Sequence, residues 1–133
     1  MIRIKSTNAV VCEHCIEGKS NKHTLINTMA GDILVEKFPA NLPIAFYIEF
    51  TSSEAGHANA DIKIMLGRKK VAGGSASILF NESKIAVLAV PSALLVVDAP
   101  TTIKLIIQWE GNKPATVVSK SFILAATSAQ DSL

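Results

Sequence analysis

The stretch Ile44-Ala45-Phe46-Tyr47-Ile48-Glu49-Phe50 sets Ile44, Phe46, Ile48 and Phe50 on every second residue. Successive side chains of an extended chain point to opposite faces, so these four form one apolar stripe of a strand. Ala45, Tyr47 and Glu49 fall on the other face. Just upstream, Ile33-Leu34-Val35-Glu36-Lys37-Phe38 reads as a second strand. The joining segment Pro39-Ala40-Asn41-Leu42-Pro43 is predicted to be a rigid corner, because each proline lacks an amide donor and restricts the residue before it.

The same alternation recurs toward both ends. Ile103, Leu105, Ile107 and Trp109 share a face, with Thr102, Lys104, Gln108 and Glu110 opposite. Gly111-Asn112-Lys113-Pro114 reads as a hairpin turn, and residues 116–124 return beside it. Near the start, residues 9–17 alternate Val10, Cys12, His14 and Ile16 against Val11, Glu13, Cys15 and Glu17. The first set is the more apolar, which assigns Cys12 inward and Glu13 and Cys15 outward. Gly18-Lys19-Ser20-Asn21 is a turn by composition, and residues 23–29 form the partner strand before Gly31-Asp32 breaks it.

Between these landmarks, residues 51–56 read as a loop and residues 60–66 as a strand with Ile62, Ile64 and Leu66 on one face. Gly67-Arg68-Lys69-Lys70 is a charged turn followed closely by Gly73-Gly74, and residues 75–80 form a short strand. Asn81-Glu82-Ser83 turns the chain into residues 85–90, Pro91 interrupts, and residues 94–97 continue. The pattern gives about eight or nine short strands, turn signals roughly every 8 to 12 residues, and no amphipathic helix. Such a chain is all-β, and an antiparallel β-sandwich buries its long, bulky stripes best. One domain is expected over residues 1–125, with a small, polar tail over 126–133 that frays.

Composition narrows the function classes. A chain of 133 residues, 49% hydrophobic, is large enough to bury its own core. Its 13 basic and 11 acidic residues leave a net charge of +2, which gives no electrostatic case for nucleic acid or an anionic membrane as partner. The start, Met1-Ile2-Arg3-Ile4-Lys5, interleaves charges with apolar residues and does not read as a secretory signal. The longest uncharged apolar run, Ile85 to Val97, is broken by Pro91 and falls short of the roughly 20 residues of a spanning helix. A cytoplasmic protein is the expectation. Two cysteines three residues apart agree with a reducing compartment. In a strand their Cα atoms lie roughly 10 Å apart, whereas a disulfide wants about 5.5 Å.

The most chemical-looking stretch is Cys12-Glu13-His14-Cys15, with His23 on the partner strand. A structural zinc site needs a tetrahedron of four ligands, commonly two cysteine pairs or a pair plus histidines. One pair on a strand does not supply it, so neither metal nor other cofactor is expected. A metal-dependent or hydrolytic centre built from Cys12, His14, Cys15 and His23 is the alternative. A redox pair would need a helix N-terminus to lower the thiol pKa. No nucleophile-elbow signature accompanies the three histidines, and the carboxylates are scattered. Gly67 to Gly74 lacks the spacing of a phosphate-cradling loop. Loops carry function on sandwich scaffolds, which makes His57, in a loop spanning residues 51–59, and Arg68, Lys69 and Lys70 the interaction candidates.

Several landmarks occur in a fixed order: Cys12-Glu13 on the first strand, Gly18-Lys19 at its turn, and Phe38-Pro39-Ala40-Asn41-Leu42-Pro43 entering the central strand. The hairpin around Gly111, with Phe122 after it, closes the series. This order resembles a family of uncharacterised bacterial and phage proteins of similar size. Asn27 stands where that pattern has a glycine. The resemblance implies an immunoglobulin-like or C2-like sandwich and brings no catalytic residues. Together these readings point to a non-enzymatic binding or assembly module, part of a bacterial or phage complex, with a protein partner or a second copy of the chain.

Overall fold

In a computed structural model of the chain, residues 2–125 are described. They form nine strands and no helix: β1 (Ile4–Glu17), β2 (His23–Thr28), β3 (Ile33–Val35), β4 (Ala40–Ser52), β5 (Gly56–Leu66), β6 (Lys69–Phe80), β7 (Ile85–Val97), β8 (Thr101–Trp109) and β9 (Ala115–Leu124). Two sheets, ordered β2-β1-β4-β7 and β3-β9-β8-β5-β6, pack as a β-sandwich. The tail expected over residues 126–133 lies outside the described residues.

The two strong stripes build the core. Ile44, Phe46, Ile48 and Phe50 of β4 face Ile103, Leu105, Ile107 and Trp109 of β8, and all eight are buried. Trp109 meets Phe50 edge-on, ring centroids 5.2 Å apart at 90°, and lies tilted against Phe80 at 6.1 Å. Aromatic pairs favour such geometry because the positive ring edge meets the negative face. Phe50 belongs to one sheet and Trp109 and Phe80 to the other, so this cluster ties the layers together.

Several expectations need correction. Residues 40–43 are not a corner: β4 begins at Ala40, and Pro43 pairs with Leu94 of β7. Pairing between β1 and β4 ends at Cys12 and Ala45, so this half of β4 has β7 as its one strand neighbour. A missing amide is tolerated where one side of a strand is open. The connector shrinks to residues 36–39, with a cis Phe38–Pro39 peptide. Pro91 likewise sits inside a continuous β7, an edge strand whose register shifts opposite Ala45. The sheets are not purely antiparallel, because β3 runs parallel to β9.

Two expected loops are mostly strand. Only residues 53–55 join β4 to β5, and the Ser52 hydroxyl closes that turn. It donates to the Glu54 carbonyl at 2.6 Å and accepts from the Glu54 amide at 3.1 Å. The basic turn contracts to Gly67-Arg68, and β6 already begins at Lys69, paired with Leu66.

The first strand also differs in its facing. Val11, not Val10, enters the core, and Ile16 is 51% exposed. The pairing of β1 with β4 shifts register between Ser6 and Asn8, and beyond Cys12 the strand parts from β4 and follows β2 alone. Opposite Glu13, Asn27 adopts a left-handed backbone (φ 54) and donates from its side-chain amide to the Glu13 carboxylate at 2.6 Å. Asparagine is among the few residues that enter this region readily.

Candidate functional site

The cysteine and histidine cluster is dispersed. Val11 enters the core, so Cys12 faces the other way, yet it is fully buried beside its register partner Ala45. Its sulfur lies 3.3 Å from the His14 carbonyl and 3.8 Å from that of Ala45, donating weakly to both. Burial pushes the Cys12 thiol above its ordinary value, with the neighbouring Cys15 adding to the rise. Cys15 is half-buried, and its thiol is raised first by burial and then by Glu17. Raised thiols are poor nucleophiles and poor metal ligands at neutral pH. His14 is exposed.

His23 turns instead to Tyr47, ring centroids 5.2 Å apart at 62°. The Tyr47 hydroxyl donates to the Glu49 carboxylate at 2.8 Å, and burial followed by that bond pushes its pKa up to about 12. The His23 Nδ1 is buried without a partner. Among the described residues, no three His, Cys, Asp or Glu side chains converge as metal ligands. Cys12, His14, Cys15 and His23 are thus not brought together as the alternative reading requires.

The interaction candidates fare differently. His57 is exposed on β5, opposite Leu79, and so belongs to a sheet face and not a loop. Arg68, Lys69 and Lys70 are all exposed at the β5–β6 tip and the start of β6. Gly67 opens that turn with φ +60 while Arg68 keeps a negative φ, the arrangement of a two-residue type II′ hairpin turn.

Two clefts flank this end of the sandwich. One, about 780 Å³, opens between the β1–β2 hairpin, β3 and the start of β4. Its lining includes Glu13, Asp32, Leu34, Glu36, Lys37 and Leu42. The other, about 570 Å³, opens between β6 and β7. There Lys69, Val71, Leu94, Val96 and Asp98 contribute. Because β6 lies against β7 and β1 against β9, the two clefts occupy opposite flanks.

Each cleft exposes apolar surface beside charge, the first prevailingly acidic and the second adjoining the basic tip. Leu34 is 59% exposed in the first, beside three carboxylates and one ammonium. Leu94 is 70% and Val96 56% exposed in the second, whose charged lining is Lys69 and Asp98, with the basic tip at its end. Lys120, near the acidic flank, is committed to the Gly31 carbonyl at 2.9 Å.

The sequence reading missed Glu13, Asp32, Glu36, Leu34, Leu94 and Val96. Each reads as an ordinary strand or turn residue, and only the pairing of distant edges brings them together. Leu94 and Val96 did carry a signal: two large apolar residues just after a proline inside a strand. No protein-family model matches the chain, and no curated protein is similar to it.

Proposed function

We propose that the protein is a non-enzymatic assembly module that works by presenting its flanks to a protein partner within a larger complex. The resemblance to bacterial and phage proteins suggests where such a complex belongs, and assembly in the cytoplasm fits its cysteine usage. The observation that carries this reading is the exposure of Leu94 and Val96 on an edge strand, bordered by Lys69 and Asp98. Large apolar side chains on an edge strand expose the molecule to unwanted pairing, so one that keeps them in water uses them for contact. A charged border supplies register and orientation to such a contact.

Native size fractionation of the endogenous protein tests this. Recovery in a particle heavier than the monomer is expected, and Leu94→Ser with Val96→Ser should release the chain from it. Both residues are exposed, so the double variant should keep its fold, which circular dichroism checks. An endogenous protein recovered wholly as monomer overturns the proposal.

A further inference from the structure

The acidic cleft of one flank and the basic β5–β6 tip beside the other are opposite in charge. On one side, Glu13, Asp32 and Glu36 outnumber Lys37 around the exposed Leu34. On the other, Lys69 and Asp98 line the cleft that holds the exposed Leu94 and Val96, and the adjoining β5–β6 tip adds the exposed Arg68 and Lys70. The acidic cleft also borders residues 40–44 of β4, where no strand pairs on the β1 side. The basic tip is a two-residue hairpin turn at the start of β6, itself the edge of its sheet. Opposite charge beside apolar centres orients an encounter and rejects the same surface meeting itself, since like charges placed together repel.

We propose that the partner at these flanks is a second copy of this chain, bound head to tail. The Arg68–Lys70 hairpin and the Leu94/Val96 surface of one molecule meet the Glu13/Asp32/Glu36 cleft and Leu34 of the next. This rests on the assembly reading above and names its partner. A contact between two different surfaces is heterologous. It closes into a ring if the rotation between neighbours allows and extends as a filament if it does not. The chain then assembles without any other component.

Sedimentation velocity of the purified protein at rising concentration provides the test, with two charge-reversed variants. The wild type should associate at low salt. It should associate less at about 1 M salt, where the screening length falls to roughly 3 Å from about 10 Å at 0.1 M. Arg68→Glu with Lys69→Glu, and separately Asp32→Lys with Glu36→Lys, should each weaken self-association by about tenfold or more. All four residues are exposed, so both variants should retain the wild-type circular dichroism spectrum.

An equimolar mixture of the two variants should regain association, because each then offers the surface complementary to the other. Association unaffected by either pair, or lost in one variant only, overturns head-to-tail contact and leaves the assembly proposal standing. So does a purified wild type that stays monomeric while the endogenous protein is found in a complex. Monomer in both settings removes both proposals.

Discussion

Asn27 shows how much one backbone angle decides. Its left-handed conformation opposite Glu13 interrupts the regular pairing of the first hairpin, beyond the point where β1 leaves β4. A β-branched residue there meets its own carbonyl, at a cost of roughly 1–2 kcal/mol. Asn27→Val should therefore lose about that much in a urea titration, while Asn27→Gly should stay within a few tenths; equal stabilities would mean the angle is not held in solution. The same strand holds a failed assignment. Alternation over residues 9–17 buries Cys12 but gives Val10 and Ile16 the wrong environment, because Val11 and not Val10 faces the core and Ile16 lies where β1 has already left β4. Tyr47 supports a second expectation at this scale. Its pKa is raised from 10.0 to about 12, so the neutral phenol stabilises the fold fully below pH 10, and that contribution is lost as pH rises through 12. Tyr47→Phe has no phenol to ionise. The stability gap between wild type and Tyr47→Phe should move in the variant's favour between pH 9 and pH 12, with both thiols common to the two proteins. A gap constant with pH would show that Tyr47 ionises as freely folded as unfolded.

At the scale of elements, strands with a bulky stripe were legible and edge strands were not. β4 and β8 announce themselves because one face of each is filled with large side chains. β6 does not, since residues 69–75 are, Val71 apart, basic or small and show no alternation; its hydrogen bonds come from β5, a partner visible only in the fold. Pro91 misled for a related reason. It reads as a break, yet an edge strand tolerates an absent donor, and a proline there also discourages pairing with other chains. The β5–β6 turn was legible in kind though not in length. Gly67 holds φ +60, and a Cβ placed on it would lie 2.8 Å from the Thr101 hydroxyl oxygen. Gly67→Ala should cost about 1–2 kcal/mol for the backbone angle alone, with the contact adding to it. Thr101→Ala in the same molecule should recover the second part only. Full recovery in a denaturant titration would place the whole cost in the contact and none in the backbone.

Across the whole molecule, the sandwich follows from its stripes, but the way its edges close does not. The parallel pairing of β3 with β9 joins residues about ninety positions apart, and no local pattern announces it. The same distant closure creates the two flanking clefts, which is why the interaction candidates readable beforehand were limited to the basic tip and His57. What does follow from the stripes is where cohesion between the sheets is concentrated. Trp109 and Phe46, each on the apolar stripe of its strand, lie in one core. The Trp109 ring bridges Phe50 of one sheet and Phe80 of the other, so truncation removes a contact between layers as well as buried area. Trp109→Ala should cost about 3–5 kcal/mol, a large part of the roughly 5–15 kcal/mol that holds a domain of this kind folded. Trp109→Phe keeps an aromatic ring between Phe50 and Phe80 and should lose less. Equilibrium unfolding in urea, followed by far-UV circular dichroism because the variants lack the tryptophan, distinguishes the cases. A loss below about 1 kcal/mol for Trp109→Ala would mean that the two sheets are held mainly elsewhere along β4 and β8.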